Sequence, residues 1–164
     1  MIKQMRLDER LIHGQVAIKW SRHLDINRII VANDEAGTNK IIERSLMMAA
    51  PQNIKVAIET VEKSIKIIND PRAEHLKILL IVANPQDALK ILKEVKDIDV
   101  INVGNYGRIA EKKVGEDRKS YGSNLYAHTE EIEQFRKILG YGIKSIYQTT
   151  PEDTPEPLDK VLKI

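Results

Sequence analysis

Ile78-Leu-Leu-Ile-Val-Ala-Asn-Pro-Gln-Asp-Ala-Leu89 is an unbroken apolar run that ends in an Asn-Pro turn and passes straight into a different periodicity. Six successive apolar residues describe a strand covered on both faces, where a half-exposed strand would alternate. Pro85 suits the first turn of a helix, because the N–H it lacks would have no partner there. Ala88, Ile91, Leu92 and Val95 then recur at helical spacing. The unit is strand, short turn, helix.

The same unit repeats along the chain. An opening strand carries Ile2, Met5 and Leu7, and further runs are Arg28–Ala32, Ile54–Ile58, Ile98–Val103 and a short Ile143–Tyr147. Helical stripes fill the gaps. Val16, Ile18, Trp20 and Leu24 form the first, and Ile41, Ile42, Leu46 and Ala49 form one stopped by Pro51. Val61, Ile65 and Ile68 end at Asn69-Asp-Pro71, and Ile132, Phe135 and Leu139 follow Thr129 as N-cap with Gly140 as the stop. This alternation predicts a single α/β domain over residues 1–164, with an open, mainly parallel twisted sheet and helices on both faces. Residues 104–127 read as a long loop or small hairpin. Pro151, Pro155 and Pro157 suggest an extended surface arm.

Composition narrows the function. The 164 residues are 42% hydrophobic and 30% charged with a net charge of +2, so no bulk field points to nucleic acid, and one Phe and one Trp offer little base stacking. The absence of cysteine removes thiolate chemistry and suits a reducing, cytoplasmic setting. No segment approaches the roughly 18 apolar residues of a membrane span. No Walker-type loop, dinucleotide fingerprint or Gly-x-Ser-x-Gly elbow is present. His23, His75 and His128 have no second ligand at metal spacing, so neither metal nor cofactor is expected.

In such sheets ligands bind beyond the carboxyl ends of the strands. His13, Asn33-Asp34, Asn84 and Gly104-Asn105 all fall just past a strand, on that edge. His13 stands out within Arg6-Leu-Asp-Glu-Arg-Leu-Ile-His-Gly-Gln-Val16, near a helix N-terminus that favours anions. A lone histidine is more often structural, but here Gly14 permits close approach and Arg10 offers a forked contact to phosphate, with Arg6 in reserve. Asp8 or Glu9 could hold one ring nitrogen and leave the other as nucleophile. Asp34 either caps a helix or reaches across to orient His13 or its arginine. Gly104 and Asn105 offer backbone donors to a phosphate. On residues alone three readings stand: a phosphoryl carrier, a non-catalytic phosphate-binding regulatory module, and a hydrolase using His13 and Asp8 as an acid–base pair.

The string from Arg6 to Gln15 resembles the signature of IIB components of the mannose/fructose/sorbose class of bacterial phosphoenolpyruvate-dependent sugar phosphotransferase systems. The similarity continues through Val31-Ala-Asn-Asp-Glu35, Leu46-Met-Met-Ala-Ala-Pro51, Ser64, Asn84-Pro-Gln-Asp-Ala-Leu89 and Ile101-Asn-Val-Gly-Asn105. It implies that His13 is phosphorylated, on Nδ1, by a phosphohistidine on a IIA partner held on a separate polypeptide. His13 then passes the group to a sugar entering through membrane IIC and IID subunits. Arg10 is then the phosphate clamp and Asp8 its support, with Arg6, Gly14, Gln15, Asp34, Gly104 and Asn105 as supporting positions. Tyr106-Gly-Arg-Ile-Ala-Glu-Lys112 departs from the pattern of many relatives. The sugar itself is not readable.

Overall fold

The computed structural model describes residues 1–164. The chain runs β1 (Ile2–Asp8), α1 (Gly14–Leu24), β2 (Arg28–Ala32), α2 (Asp34–Thr38), α3 (Lys40–Ala49), β3 (Lys55–Glu59), α4 (Val61–Asn69), β4 (Ile78–Val82), α5 (Pro85–Glu94) and β5 (Val100–Asn105). After it come β6 (Lys119–Gly122), β7 (Leu125–Ala127), α6 (Thr129–Leu139), β8 (Lys144–Tyr147), β9 (Glu156–Pro157) and α7 (Leu158–Leu162). Helix starts follow local chemistry: Asn33, Asn39, Thr60 and Asn84 each turn a side-chain oxygen onto N–H groups of the helix they precede.

The main sheet has the order β3-β2-β4-β1-β5-β8-β9, parallel throughout except for β9. Side chains alternate across it. Ile30, Leu80, Val82, Ile101 and Val103 enter one core with Val61, Ile91, Phe135 and Ile138 of α4, α5 and α6. Ile29, Val31, Leu79 and Ile81 enter the other, with Ala17 and Trp20 of α1 and Leu46 of α3. Connections leaving β1 and β2 thus cross one face and those leaving β3, β4 and β5 cross the other, as right-handed crossovers in opposite directions require. The expected architecture is observed. β1 lies where the direction of winding reverses, so its end opens a crevice between helices on opposite faces.

Four local expectations change. The proline-rich C-terminus is not an extended arm: β9 pairs antiparallel with β8, and α7 buries Leu158 and Leu162 in the larger core. Those two leucines were too few to reveal a helical stripe. Ile41 leaves its predicted stripe and is 79% exposed, because the face that packs on the sheet is carried by Ile42, Leu46 and Ala49, and Ile41 lies well round the helix from Leu46. Residue 128, not Thr129, is the N-cap of α6, and its N–H donates to Glu131 Oε1 at 2.8 Å. A five-residue helix, α2, forms ahead of the Ile41 stripe, where no apolar periodicity marked one. The 104–127 segment does contain a hairpin, β6–β7.

Because Leu158 is fully buried, Leu158→Ala should lower stability by about 2–5 kcal/mol. Urea unfolding followed by circular dichroism measures this; an unchanged midpoint would mean that α7 is not part of the cooperative core.

Candidate functional site

On the α1 side of the sheet, β1 and β5 replace hydrophobic side chains with polar ones. Gln4, Arg6 and Asp8 alternate onto that face, and all three are buried, as is Asn102 of β5. Asn102 Nδ2 donates to Gln4 Oε1 at 3.3 Å. Arg6 donates from Nη1 to Gln148 O (3.1 Å) and from Nη2 to Thr149 O (2.8 Å) and Asp8 Oδ2 (3.3 Å). Its guanidinium also lies 5.1 Å from the Trp20 ring centroid. A Cβ at Gly104 would overlap the Arg6 guanidinium, so only glycine leaves room for it. Burial lowers the Arg6 pKa to about 10 against the opposing pull of Asp8, and the group stays charged at neutral pH.

Asp8 is completely buried and accepts from two sides. Besides Arg6 it takes the Arg10 backbone N–H (3.0 Å), Arg10 Nε (3.2 Å) and Arg10 Nη2 (3.4 Å). Arg10 is thereby aimed by its inner edge, while about a third of its side chain (34%) remains exposed with Nη1 outside the pair. That is a clamp held in place before any anion arrives.

The turn from Asp8 to His13 is closed by the Leu11 N–H on Asp8 O (2.9 Å) and puts Leu11 at φ 59°. Buried Ile12 anchors it in the α1-side core. His13 is the N-cap of α1, with extended backbone (φ −150°, ψ 133°), yet its side chain caps nothing and the first turn holds no acidic residue. The amide end of α1 is therefore left open, the arrangement that favours a bound anion. Neither ring nitrogen of His13 makes a hydrogen bond of good geometry, although the Leu11 backbone lies near enough to pull its pKa upward, and both nitrogens are shielded from solvent. Burial lowers the imidazole pKa, Asp8 opposes this, and the cationic Arg10 and Arg6 reinforce it. The ring is held neutral at pH 7 with a lone pair uncommitted.

The structure sorts the expected residues. His13, Arg10 and Asp8 form one unit, with Gly14 (φ 47°) and exposed Gln15 on the first turn of α1. Arg6 is a buried brace and not a surface clamp, since its contacts are with the protein. Gly104 makes space for that brace. Asn105 accepts the Glu9 N–H through its carbonyl (3.0 Å) and donates to Asn124 Oδ1 (3.4 Å). Asp34 does not reach His13 or its arginines: its carboxylate accepts the Val61 N–H at 3.0 Å, the capping role. Neither Asp8 nor Glu9 holds a ring nitrogen; Asp8 is taken by the two arginines, and Glu9 by backbone amides of residues 108–110.

Trp20, Asn124, Gln148 and Thr149 were not read as site residues. Trp20 Nε1 donates to Thr149 O (3.0 Å), Asn124 Nδ2 to Thr149 Oγ1 (3.0 Å), and Thr149 Oγ1 to Gly104 O (3.2 Å). They wall the site through backbone carbonyls and mutual hydrogen bonds, which no sequence spacing signals. The one available cue was position: Gln148 and Thr149 follow a parallel strand on the ligand-binding edge.

Arg6→Lys should destabilise the fold by roughly 3 kcal/mol, because an ammonium cannot span Asp8 and two carbonyls at once. Urea titration measures this; a loss below about 0.5 kcal/mol would contradict the bracing role.

Comparisons with known proteins show the family. The family described as PTS system sorbose subfamily IIB component matches residues 2–164. The chain is 37% identical over 163 residues to a probable phosphotransferase enzyme IIB component of Streptococcus pyogenes serotype M6, covering 99% of each. It is 26% identical over 160 residues to the mannose-specific EIIAB component of Escherichia coli strain K12, covering 97% of this chain and 48% of that protein. The crystal structure of the IIBSor domain of the sorbose permease from Klebsiella pneumoniae superposes with a TM-score of 0.88 at 25% identity, covering 99% of this chain and 96% of that one. The chain belongs to the sorbose-subfamily IIB components, the phosphotransferase enzymes that take part in phosphoryl transfer during PTS sugar uptake.

Proposed function

We propose that His13 is the phosphoryl acceptor. The observation that carries this is a neutral imidazole with both nitrogens unpartnered, placed at an uncapped helix N-terminus beside an arginine aimed by a buried carboxylate. A ring nitrogen, Nδ1 in the reading above, attacks the phosphorus of a donor phosphohistidine in line. The new N–P bond forms as the donor N–P bond breaks, and the donor imidazole leaves with the bonding pair. Arg10 and the α1 amides meet the negative charge on the equatorial oxygens. Both His13 nitrogens are shielded in the resting conformation, so attack takes a rotation of the side chain toward the mouth. In the second step a hydroxyl oxygen of a hexose-type sugar attacks the phosphorus, its proton passes to solvent, and the N–P bond breaks with its pair returning to the His13 ring nitrogen.

The donor is a phosphorylated IIA protein or domain, and the acceptor sugar is presented by membrane IIC and IID subunits. The EIIAB relative, which carries more chain than this one covers, supports the first partner. No helix is long and apolar enough to cross a membrane, which suits a IIB domain over 1–164 that visits IIC and IID from the cytoplasmic side.

Incubation with phosphoenolpyruvate, the two general phosphotransferase proteins and a panel of IIA proteins tests the assignment by intact mass and peptide mapping. One acid-labile, alkali-stable phosphate on His13, absent from His13→Ala, is expected. Reversible phosphate binding without any covalent label would overturn it.

The pH dependence carries a sign. The acceptor must be neutral and its pKa is lowered, so the acid limb of the transfer rate should fall below the usual imidazole value near 6.5. Arg10→Met removes a positive charge and frees Asp8, so both effects raise the His13 pKa. The limb should move upward and the rate drop about a hundredfold. A limb that stays in place would show that Arg10 does not act on the imidazole.

A further inference from the structure

Glu9 sits between the two residues of the charge centre, yet touches neither phosphate machinery nor imidazole. Its carboxylate accepts three consecutive backbone N–H groups: Arg108 (2.9 Å) and Ile109 (3.2 Å) on Oε2, and Ala110 (3.0 Å) on Oε1. Its own N–H donates to Asn105 O at 3.0 Å. One residue of the His13 turn therefore binds the last residue of β5 by one hydrogen bond and the segment after β5 by three. The far side of that segment is tied down as well. Arg118 donates to Ala110 O (2.7 Å) and Glu111 O (2.8 Å) and pairs with Glu131 (2.8 Å). The Lys113 N–H donates to His128 Nε2 at 3.3 Å.

A segment fastened at both ends nevertheless presents Ile109 at 68% exposure. Single exposed apolar residues are ordinary on any surface. Here the side chain stands next to an amide held by the residue between Asp8 and Arg10. A protein that brings phosphorus to about 3–3.5 Å from a His13 nitrogen must cover the rim of that turn.

We propose that Glu9 is a positioning residue that holds the 108–110 segment, with Ile109 at its tip, as part of the surface covered by the phosphohistidine donor; this rests on the reading of His13 as acceptor. The occupant is the IIA protein. The EIIAB relative supports this choice, since its name places an A part on the same chain as the B part matched here. Glu9 acts by docking and not on the chemistry, because its carboxylate contacts only the segment.

The test compares two phosphoryl donors on wild type, Glu9→Gln and Ile109→Ser. One is the phosphorylated IIA protein that labels His13 fastest; the other is phosphoramidate, which needs no docking surface. An amide at position 9 must turn its NH2 group against at least one of the three backbone N–H groups, which loosens the segment. Both variants should raise KM for the IIA donor about tenfold with kcat within about twofold, while phosphoramidate labelling of His13 stays unchanged. Unchanged KM in both variants would overturn the proposal. So would an equal loss with phosphoramidate, which would place Glu9 in the chemistry, or a defect confined to transfer onward to sugar, which would assign the surface to the membrane subunits. Failure of every donor to label wild-type His13 is a different result, and it would remove the acceptor reading itself.

Discussion

A fully buried carboxylate, Asp8, between two guanidinium groups is the interaction on which the site depends. An isolated charge in that position would cost several kcal/mol of desolvation, so Asp8 is tolerable only with its partners. Arg6 neutralises it from below, inside the protein, and is itself held by the Gln148 and Thr149 carbonyls and the Trp20 face. Arg10 meets it from above, at the surface. Through Arg6 and Arg10 this carboxylate links the end of the central strand to the carbonyls beyond β8 and to the turn that leads into α1. Removing Asp8 leaves Arg6 buried without its counter-charge, and removing Arg6 leaves Asp8 with only the outer guanidinium.

The fold makes this unit useful by where β1 ends. Winding reverses across that strand, and α1 leaves toward one face while the neighbouring strands send their helices to the other. The open amide end of α1 and the outward edge of Arg10 therefore face the same crevice. His13 stands at their junction, with a lowered pKa caused first by burial and reinforced by the two arginines. The unmade hydrogen bonds of its ring are a local cost of the kind expected where a group is kept ready for reaction. A IIB component has to give up what it accepts, and a site at the rim, built from rigid elements and lacking a deep cleft, suits transfer in both directions.

Much of this was legible in the residues. The apolar run before Asn84-Pro85 and its repeats led to a parallel α/β sheet, whereas the spatial order of its strands came only from the structure. His13, Arg10 and Asp8 were legible because they share one short loop. Other roles were not. Arg6 and Arg10 are indistinguishable as types, but one points inward under α1 and the other outward. Glu9 was a neighbour of His13 by number and proved to be a partner of Arg108, Ile109 and Ala110. Asp34 lay on the right edge of the sheet but caps Val61. The C-terminal helix escaped notice because prolines precede it and only two leucines mark its buried face.

Periodicity, turn residues and a local cluster of charges belong to the sequence by itself, since each is set by contacts within a few residues or by which side of a strand or helix is apolar. They determined the architecture and singled out His13, Arg10 and Asp8 as the candidate site. Which carboxylate pairs with which arginine, which carbonyls wall the site and which loop is tied to the acceptor turn were decided only in the tertiary structure. The carbonyl and loop pairings join residues about 100 to 140 positions apart. Even Asp8, two positions from each arginine, has partners whose other contacts are set by what the closed sheet brings within reach.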